Sequence, residues 1–466
     1  MPKHHPVLLK SALLTLLLAL ANAGVAQTTY SNLLVGAGGA GGAGGPSGPF
    51  TDQAGNGGLG AIGGGGGGGG GQFGNSAGQQ GSAGAGIGGG FGGGNNSSGG
   101  AALPGNPTEA GSFTITSPTS VFGLVSVGGG GGGGGGGSAI GNGGAGLAGT
   151  AGNLTVAGNG GILSVAGPLL VGGSGGGNGG NGAGAGAGGL GGAGGAGSLT
   201  IVGASSVTAG SILVGGNGNS GTGAGGAGTL NLLDAAFLSG PLTVQNNGTF
   251  NLGGATPNAG IAGRLLDSGT LVNNGVINFN QIQATSLGQT ITGSGTLNQA
   301  GSGTTTLTAA NTYSGGTTVA GGTLLPANSG ALGSGAVNVL NGGTLKVPAS
   351  SLVLGNHASL TINGTLEFTA SSAVVELNNA GYTFDGILNL DDAFDSLAPG
   401  QYQLIAATSA TDTSVAIAGY VNPNDVASFA DGTLTISAVP EPASYGAIAG
   451  LGLLVVSFRH QFRRRS

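Results

Sequence analysis

The 466-residue chain has no cysteine and no tryptophan, and only 5 % of its residues are charged and 4 % aromatic. Without cysteine there are no disulfides, thiolate nucleophiles or cysteine metal sites, so an exported chain must be held by repeated backbone hydrogen bonds. Histidine is almost as scarce: His4 and His5 lie in an apolar leader, His460 lies in a basic tail, and His357 alone sits in the body, which leaves no zinc ligand set. Base is concentrated at the ends, as Lys3, Lys10, Arg459, Arg463, Arg464 and Arg465, with Arg264 and Lys346 between them. From Gln27 to Glu441, 14 acids face 2 bases, so the formal −6 of the chain conceals a body of −12. Phosphate neutralisation needs clustered Lys and Arg, and nucleic acid is therefore excluded as a partner.

Glycine fills the space these absences leave. It supplies 117 residues, 84 of them between Gly36 and Leu230, and the overall share of about a quarter compares with about 7 % in ordinary proteins. Each glycine costs roughly 0.5–1 kcal/mol more than alanine to order, so such a block folds only if regular ladders fix its backbone. The runs Gly63 to Gly71 and Gly128 to Gly137 read as flexible loops. Phosphate-loop spacings such as Gly36, Gly38 and Gly41 occur by chance, with no Lys following. Calcium-binding nonapeptides would need Asp within the pattern, where only Asp52 stands, and collagen would need a strict three-residue period.

The two ends read as addresses. Residues 1–26 have a basic start, an apolar run from Ala12 to Ala21 and small residues Ala21, Ala23, Gly24 and Ala26 at a cleavage position, as in a secretory signal peptide engaged by the translocase. At the other end Val439, Pro440, Glu441 and Pro442 precede an apolar stretch, Ala443 to Phe458, and then Arg459, Arg463, Arg464 and Arg465. That order fits a short membrane helix with a cytoplasmic positive stop. It resembles the PEP-CTERM sorting signal. The resemblance implies handling by an exosortase-type membrane peptidase and delivery to the envelope, surface or exterior of a Gram-negative-type bacterium; a plain membrane anchor is the alternative.

Between the ends, short alternating segments recur. One set starts at Ala110, Ala151, Ala196 and Ala227; a second closes on Val127, Val171 and Val214. Five or six residues of apolar/small-polar alternation mark strands, and a fixed period marks a solenoid. From Gly295 to Val347 the pattern sharpens around Asn311, Thr312, Tyr313, Ser314, Gly315, Gly316 and Thr317. This stretch resembles the autotransporter-associated β-strand repeat, although Gln299 stands where a basic residue is often found. The resemblance implies right-handed parallel β-helix rungs. Gly-Thr-Leu triplets at 295, 322, 343, 364 and 432 read as strand starts with Leu stacking inward.

The expected fold is all-β: a right-handed parallel β-helix with a Gly-rich, partly disordered N-terminal region and a C-terminal membrane or sorting helix. Its divisions are the signal peptide (1–26), a Gly-rich low-complexity region (27–109), Gly-rich strand repeats (110–255), the β-helix with the recognised repeat (256–384), cap strands (385–438) and the sorting signal (439–466). The cluster Asp385, Asp391, Asp392 and Asp395 reads as a solvated turn before the cap, with calcium binding or paired-acid glycoside chemistry as alternatives. His357 reads as a turn residue and Tyr313 as a packed or rim aromatic. No catalytic residue, metal ligand or cofactor emerges. The expectation is a non-enzymatic surface or matrix protein, structural or adhesive, associated with extracellular polysaccharide or biofilm. A polysaccharide lyase or hydrolase and an autotransporter passenger are the alternatives; the passenger reading needs a C-terminal barrel, whereas this sequence closes on Arg-Arg-Arg-Ser.

Overall fold

In the computed structural model, residues 27–36, 111–129, 145, 148–175, 190–216, 224–267, 269–354, 359–377 and 380–439 are described. Their strands stack into a parallel β-solenoid. One sheet of twelve strands runs from Ser112–Ile115 to Ala410–Asp412. Beside it an eleven-stranded sheet begins at Thr28–Tyr30 and ends at Thr290–Thr292, and a seven-stranded sheet continues from Thr285–Leu287 to Ala416–Ala418. The all-β, parallel-helix architecture expected from the strand period is the one observed.

The alternation in sequence decides which side chains point inward. In Gly197–Val202 every second residue is buried, and the residues between are half-buried on the outer side. Leu154, Leu199, Leu230, Phe250, Ile277 and Leu297 align from coil to coil, each at most 1 % exposed. Burial of each such side chain stabilises the coil by about 1.5–3 kcal/mol. The outer side of the same sheet carries a column of different chemistry. Thr114, Thr155, Thr200, Asn231, Asn251, Asn278, Asn298, Thr318, Asn338, Thr361, Thr383 and Thr411 occupy one register position through the whole sheet. Its asparagines form a ladder: Asn251 donates to Asn231 at 2.8 Å, Asn278 to Asn251 at 2.8 Å and Asn298 to Asn278 at 2.9 Å.

The coils of the early part are longer than those around the recognised repeat. Early on, Leu154 aligns with Leu199 and Leu199 with Leu230; further along, Leu297 aligns with Thr317 and Thr317 with Val337. In the early coils the strands stop at one corner, after Val127, Val171 and Val214, and resume at Gly152, Gly197 and Gly228; much of the sequence between lies outside the described residues. The feet of these glycine excursions are bonded to one another. Gly172 N–H donates to Val127 O and Gly215 N–H to Val171 O, each at 2.7 Å; across the feet, Gly173 N–H donates to Gly195 O at 2.8 Å and Gly226 N–H to Gly173 O at 2.7 Å. A Cβ on Gly173 would stand 2.0 Å from Gly129 O, so this approach admits no side chain. The stack ends at Asn247, whose Nδ2 lies 2.8–3.1 Å from the carbonyl oxygens of Gly216, Gly225 and Gly226. After it the corner is a tight turn.

Three features depart from the sequence reading. Thr28–Tyr30 and Leu33–Val35, inside the span read as low complexity, are strands paired with Thr119–Val121 and Val125–Val127. Such short strands, flanked by glycine, carry too little alternation to register. The Gly-Thr-Leu triplets do not share a face: Leu297 lies in the twelve-stranded sheet, Leu324, Leu345 and Leu366 stack in the seven-stranded one, and Leu434 belongs elsewhere. That last residue lies in an antiparallel sheet in which Thr433–Ala438 is flanked by Gly400–Gln403 and Asp425–Ala430. The parallel strands Ile405–Ala406, Ala410–Asp412 and Ala416–Ala418 come between these in sequence, so the closing sheet and the last coil are interleaved.

Candidate functional site

The repeat signature occupies the irregular side of a coil, between Thr304–Leu307 and Thr317–Val319. Backbone N–H and C=O groups on such a side need partners outside a regular ladder, and the signature residues supply them. Asn311, 7 % exposed, accepts from Ile291 N–H at 2.8 Å through Oδ1 and donates to Ala331 O at 2.6 Å through Nδ2, joining the coils before and after its own. Thr312 N–H donates to Ile291 O and Ser314 N–H to Gly293 O, each at 2.9 Å.

Tyr313 is fully buried, and its hydroxyl shares a 2.5 Å hydrogen bond with Thr317 Oγ1. Burial pushes that hydroxyl's pKa well above its ordinary 10.0. Thr317 in turn is the polar member of the inward column that otherwise holds Leu297 and Val337. Gly315 packs against the Gly295 backbone, where a Cβ would approach to 2.5 Å, and Gly316 has φ +93°. Tyr313 is thus the packed aromatic of the two expected possibilities.

Gln299, which looked like drift from a basic residue, has a definite task. Its side chain is fully buried; Nε2 donates to Gly301 O at 2.8 Å and Gly303 O at 3.1 Å, and Oε1 accepts from Thr305 Oγ1 at 2.5 Å. Thr305 also accepts from Gln281 Nε2 at 2.6 Å. These corner residues carry no signal in hydropathy, because a buried amide in a turn looks like a solvated one.

The acidic cluster is dispersed among structural duties. Asp391 caps the short 3-10 turn Asp392–Phe394 by accepting from Asp392 N–H at 2.6 Å. Asp395 accepts from Val421 N–H at 2.7 Å, tying that turn to the loop that leads into the closing sheet. Among the described residues no three acidic or histidine side chains converge where an ion could sit. His357 lies outside the described residues.

The C-terminal address begins where the closing sheet stops. Leu434 and Ile436 are buried in Thr433–Ala438, and Val439 N–H donates to Asn424 O at 2.7 Å. Pro440, Glu441, Pro442, the apolar stretch, Arg459, Arg463, Arg464 and Arg465 lie outside the described residues, as does the signal peptide. Among the described residues no helix is long and apolar enough to cross a membrane.

Two family models match this chain. Residues 297–325 match the passenger-associated-transport-repeat and residues 438–465 the PEP-CTERM protein-sorting motif. The repeat match spans Gln299, Asn311, Tyr313 and Thr317, the residues that close the coil's irregular side. The sorting-motif match implies processing by an exosortase-type system, and the two together mark an exported protein of the bacterial cell surface. No curated protein and no solved structure matches the chain.

Proposed function

We propose that this protein is a non-enzymatic scaffold of the cell surface or extracellular matrix, structural or adhesive in role, and associated with extracellular polysaccharide. The observation that carries this reading is the Thr/Asn column that keeps one register position through the twelve-stranded sheet, buried at Asn231 and Asn251 but half-buried or exposed on either side of them, a repetitive hydroxyl and amide row that suits a repetitive polar partner. Asp391 and Asp395 support it further, since their carboxylates cap a turn and hold a loop. Elongation by stacking presents such a face over many coils without a large core, which suits a chain with few bulky residues.

Fractionation of cells expressing the chain with and without residues 439–466, with the mature termini read by mass spectrometry, tests the reading. The full chain is expected in surface or extracellular fractions with its C-terminal end trimmed, and the truncated chain is expected to lose that trimming. Retention of the full chain in the cytoplasm contradicts the proposal. A co-sedimentation assay of the exported form with the producing cell's own polysaccharide tests the association, with neither component expected to pellet fully alone.

A further inference from the structure

On one side of the solenoid the parallel ladder breaks between Arg264–Leu265 and Thr285–Leu287, and the break opens a notch. Phe237–Ser239 pairs with Ser206–Val214 before it and Arg264–Leu265 after it, but Arg264–Leu265 pairs with nothing further, and Thr285–Leu287 pairs only with Thr304–Leu307 beyond it. The cause is local. The coil that carries Phe250 into register with Ile277 is longer than the next, which carries Ile277 into register with Leu297. Its extra chain, around Gly253 to Ala262, turns back through an antiparallel bridge between Leu233 and Ala262. On this side the coil above therefore does not pair with the coil below, although their other sides do, and a cavity of about 690 Å³ lies between them.

The lining mixes the apolar side chains of Leu252, Ile261 and Leu266, the last 54 % exposed, with the polar side chains of Arg264, Gln283 and Ser286. Gln289 bridges part of the gap by donating to Asp267 O at 2.5 Å. Among the described residues there are two bases, and Lys346 is paired with Glu367; Asp267, the acid close to Arg264 in sequence, turns its carboxylate onto Gly269 N–H at 2.9 Å. Arg264 is thus the one described cation without an ion-pair partner, in a body of net charge −12.

A planar guanidinium with free donors matches a carboxylate in a bidentate pair. The amide and hydroxyl groups of the lining match ring hydroxyls, its apolar side chains match the C–H face of a ring, and the volume falls within the usual range for small-molecule sites. We propose that this notch binds the carboxylate-bearing ring of an acidic sugar, with Arg264 as the anion contact. The proposal deepens the polysaccharide-associated reading above and rests on it for the source of the ring, which is either a free uronate or a unit within a polymer.

Calorimetric titration of the exported chain with galacturonate and oligogalacturonate, and with galactose and oligogalactose as uncharged counterparts, tests it. Binding of the charged probes is expected to weaken roughly ten-fold or more in Arg264→Gln, to weaken less in Arg264→Lys, and to be unchanged in Lys346→Gln. Arg264 is exposed, so thermal unfolding of the three variants should match the parent and separates binding from folding. Galactose binding as tightly as galacturonate overturns the proposal. So does oligogalacturonate binding that persists in Arg264→Gln, which leaves the broader surface reading intact. Galacturonate bound through Arg264 without any polymer binding keeps the notch and removes the polysaccharide reading; failure of every charged probe removes the notch.

Discussion

The two halves of the solenoid share a sheet and a register but hold their corners by different means. In the long early coils, which bring Leu154, Leu199 and Leu230 into register, the corner after Val127, Val171 and Val214 is held backbone to backbone, glycine foot to glycine foot, with the Asn247 side chain closing the end of that stack. In the shorter later coils, which bring Leu297, Thr317 and Val337 into register, corners are closed by buried side chains, namely Gln299, Asn311 and Tyr313. Backbone-to-backbone closure is indifferent to what the excursion beyond it contains, so that corner accepts inserts of many lengths. Closure by side chains demands particular residues at particular positions. A family signature can therefore be written for residues 297–325, whereas in the early half mainly the strands repeat.

Ways to break this contrast differ in size. The largest effect is expected from Tyr313→Ala, which empties a fully enclosed aromatic site and should cost about 3–5 kcal/mol, read as a lower urea midpoint. In the early half the counterpart is Gly173→Val. Its Cβ would fall on Gly129 O, with an expected loss of about 3 kcal/mol and faster hydrogen exchange confined to the glycine feet. Asn311→Ala leaves Ile291 N–H and Ala331 O without their partner and should cost about 2 kcal/mol, with exchange rising in the coils on either side.

Alkali separates the halves without mutation. The hydroxyls of Tyr313 and Tyr382, both in the later half, have pKa values raised above 10.0, first by burial and for Tyr382 also by Asp412. Above about pH 10 the unfolded chain releases protons that the folded chain keeps, so stability is intact below that pH and falls as pH rises past it, by up to about 1.4 kcal/mol per pH unit for each group. Tyr313→Phe should make that fall shallower. The smallest effect is expected from Lys346→Met, since its pair with Glu367 is partly exposed; a change below about 1 kcal/mol is expected, and a larger one would mean that this outer row matters to the later coils as much as their corners do.

The strand period and the inward columns could be read directly, because Leu, Val and Ile alternate with Thr, Asn and Ser at spacing that only a stacked sheet explains. The face on which a strand lies could not be read. Gly-Thr-Leu at 295 and at 322 begin strands of different sheets, because the triplet encodes a strand entry and the corner before it sets the direction. The staples were legible only where a family pattern marks them, at Asn311 and Tyr313. Gln299 and Asn247 are polar residues whose partners are mainly backbone carbonyls, and no local pattern distinguishes them from surface amides. The notch beside Arg264 arises from one coil being longer than its neighbours, which becomes visible only when the register is known.

The strand that leads to the sorting motif is the middle one of its antiparallel sheet, bonded along both edges. If the chain is pulled from its C-terminal end, the load enters along that strand and its two ladders must slide together before any coil is disturbed. Such an arrangement resists in shear rather than peeling one bond at a time. The closing sheet is therefore built as a mechanical anchor, which meets the load first and passes it on only to the last coil, to which Gly432 O is bonded through Leu404 and Ile405 N–H.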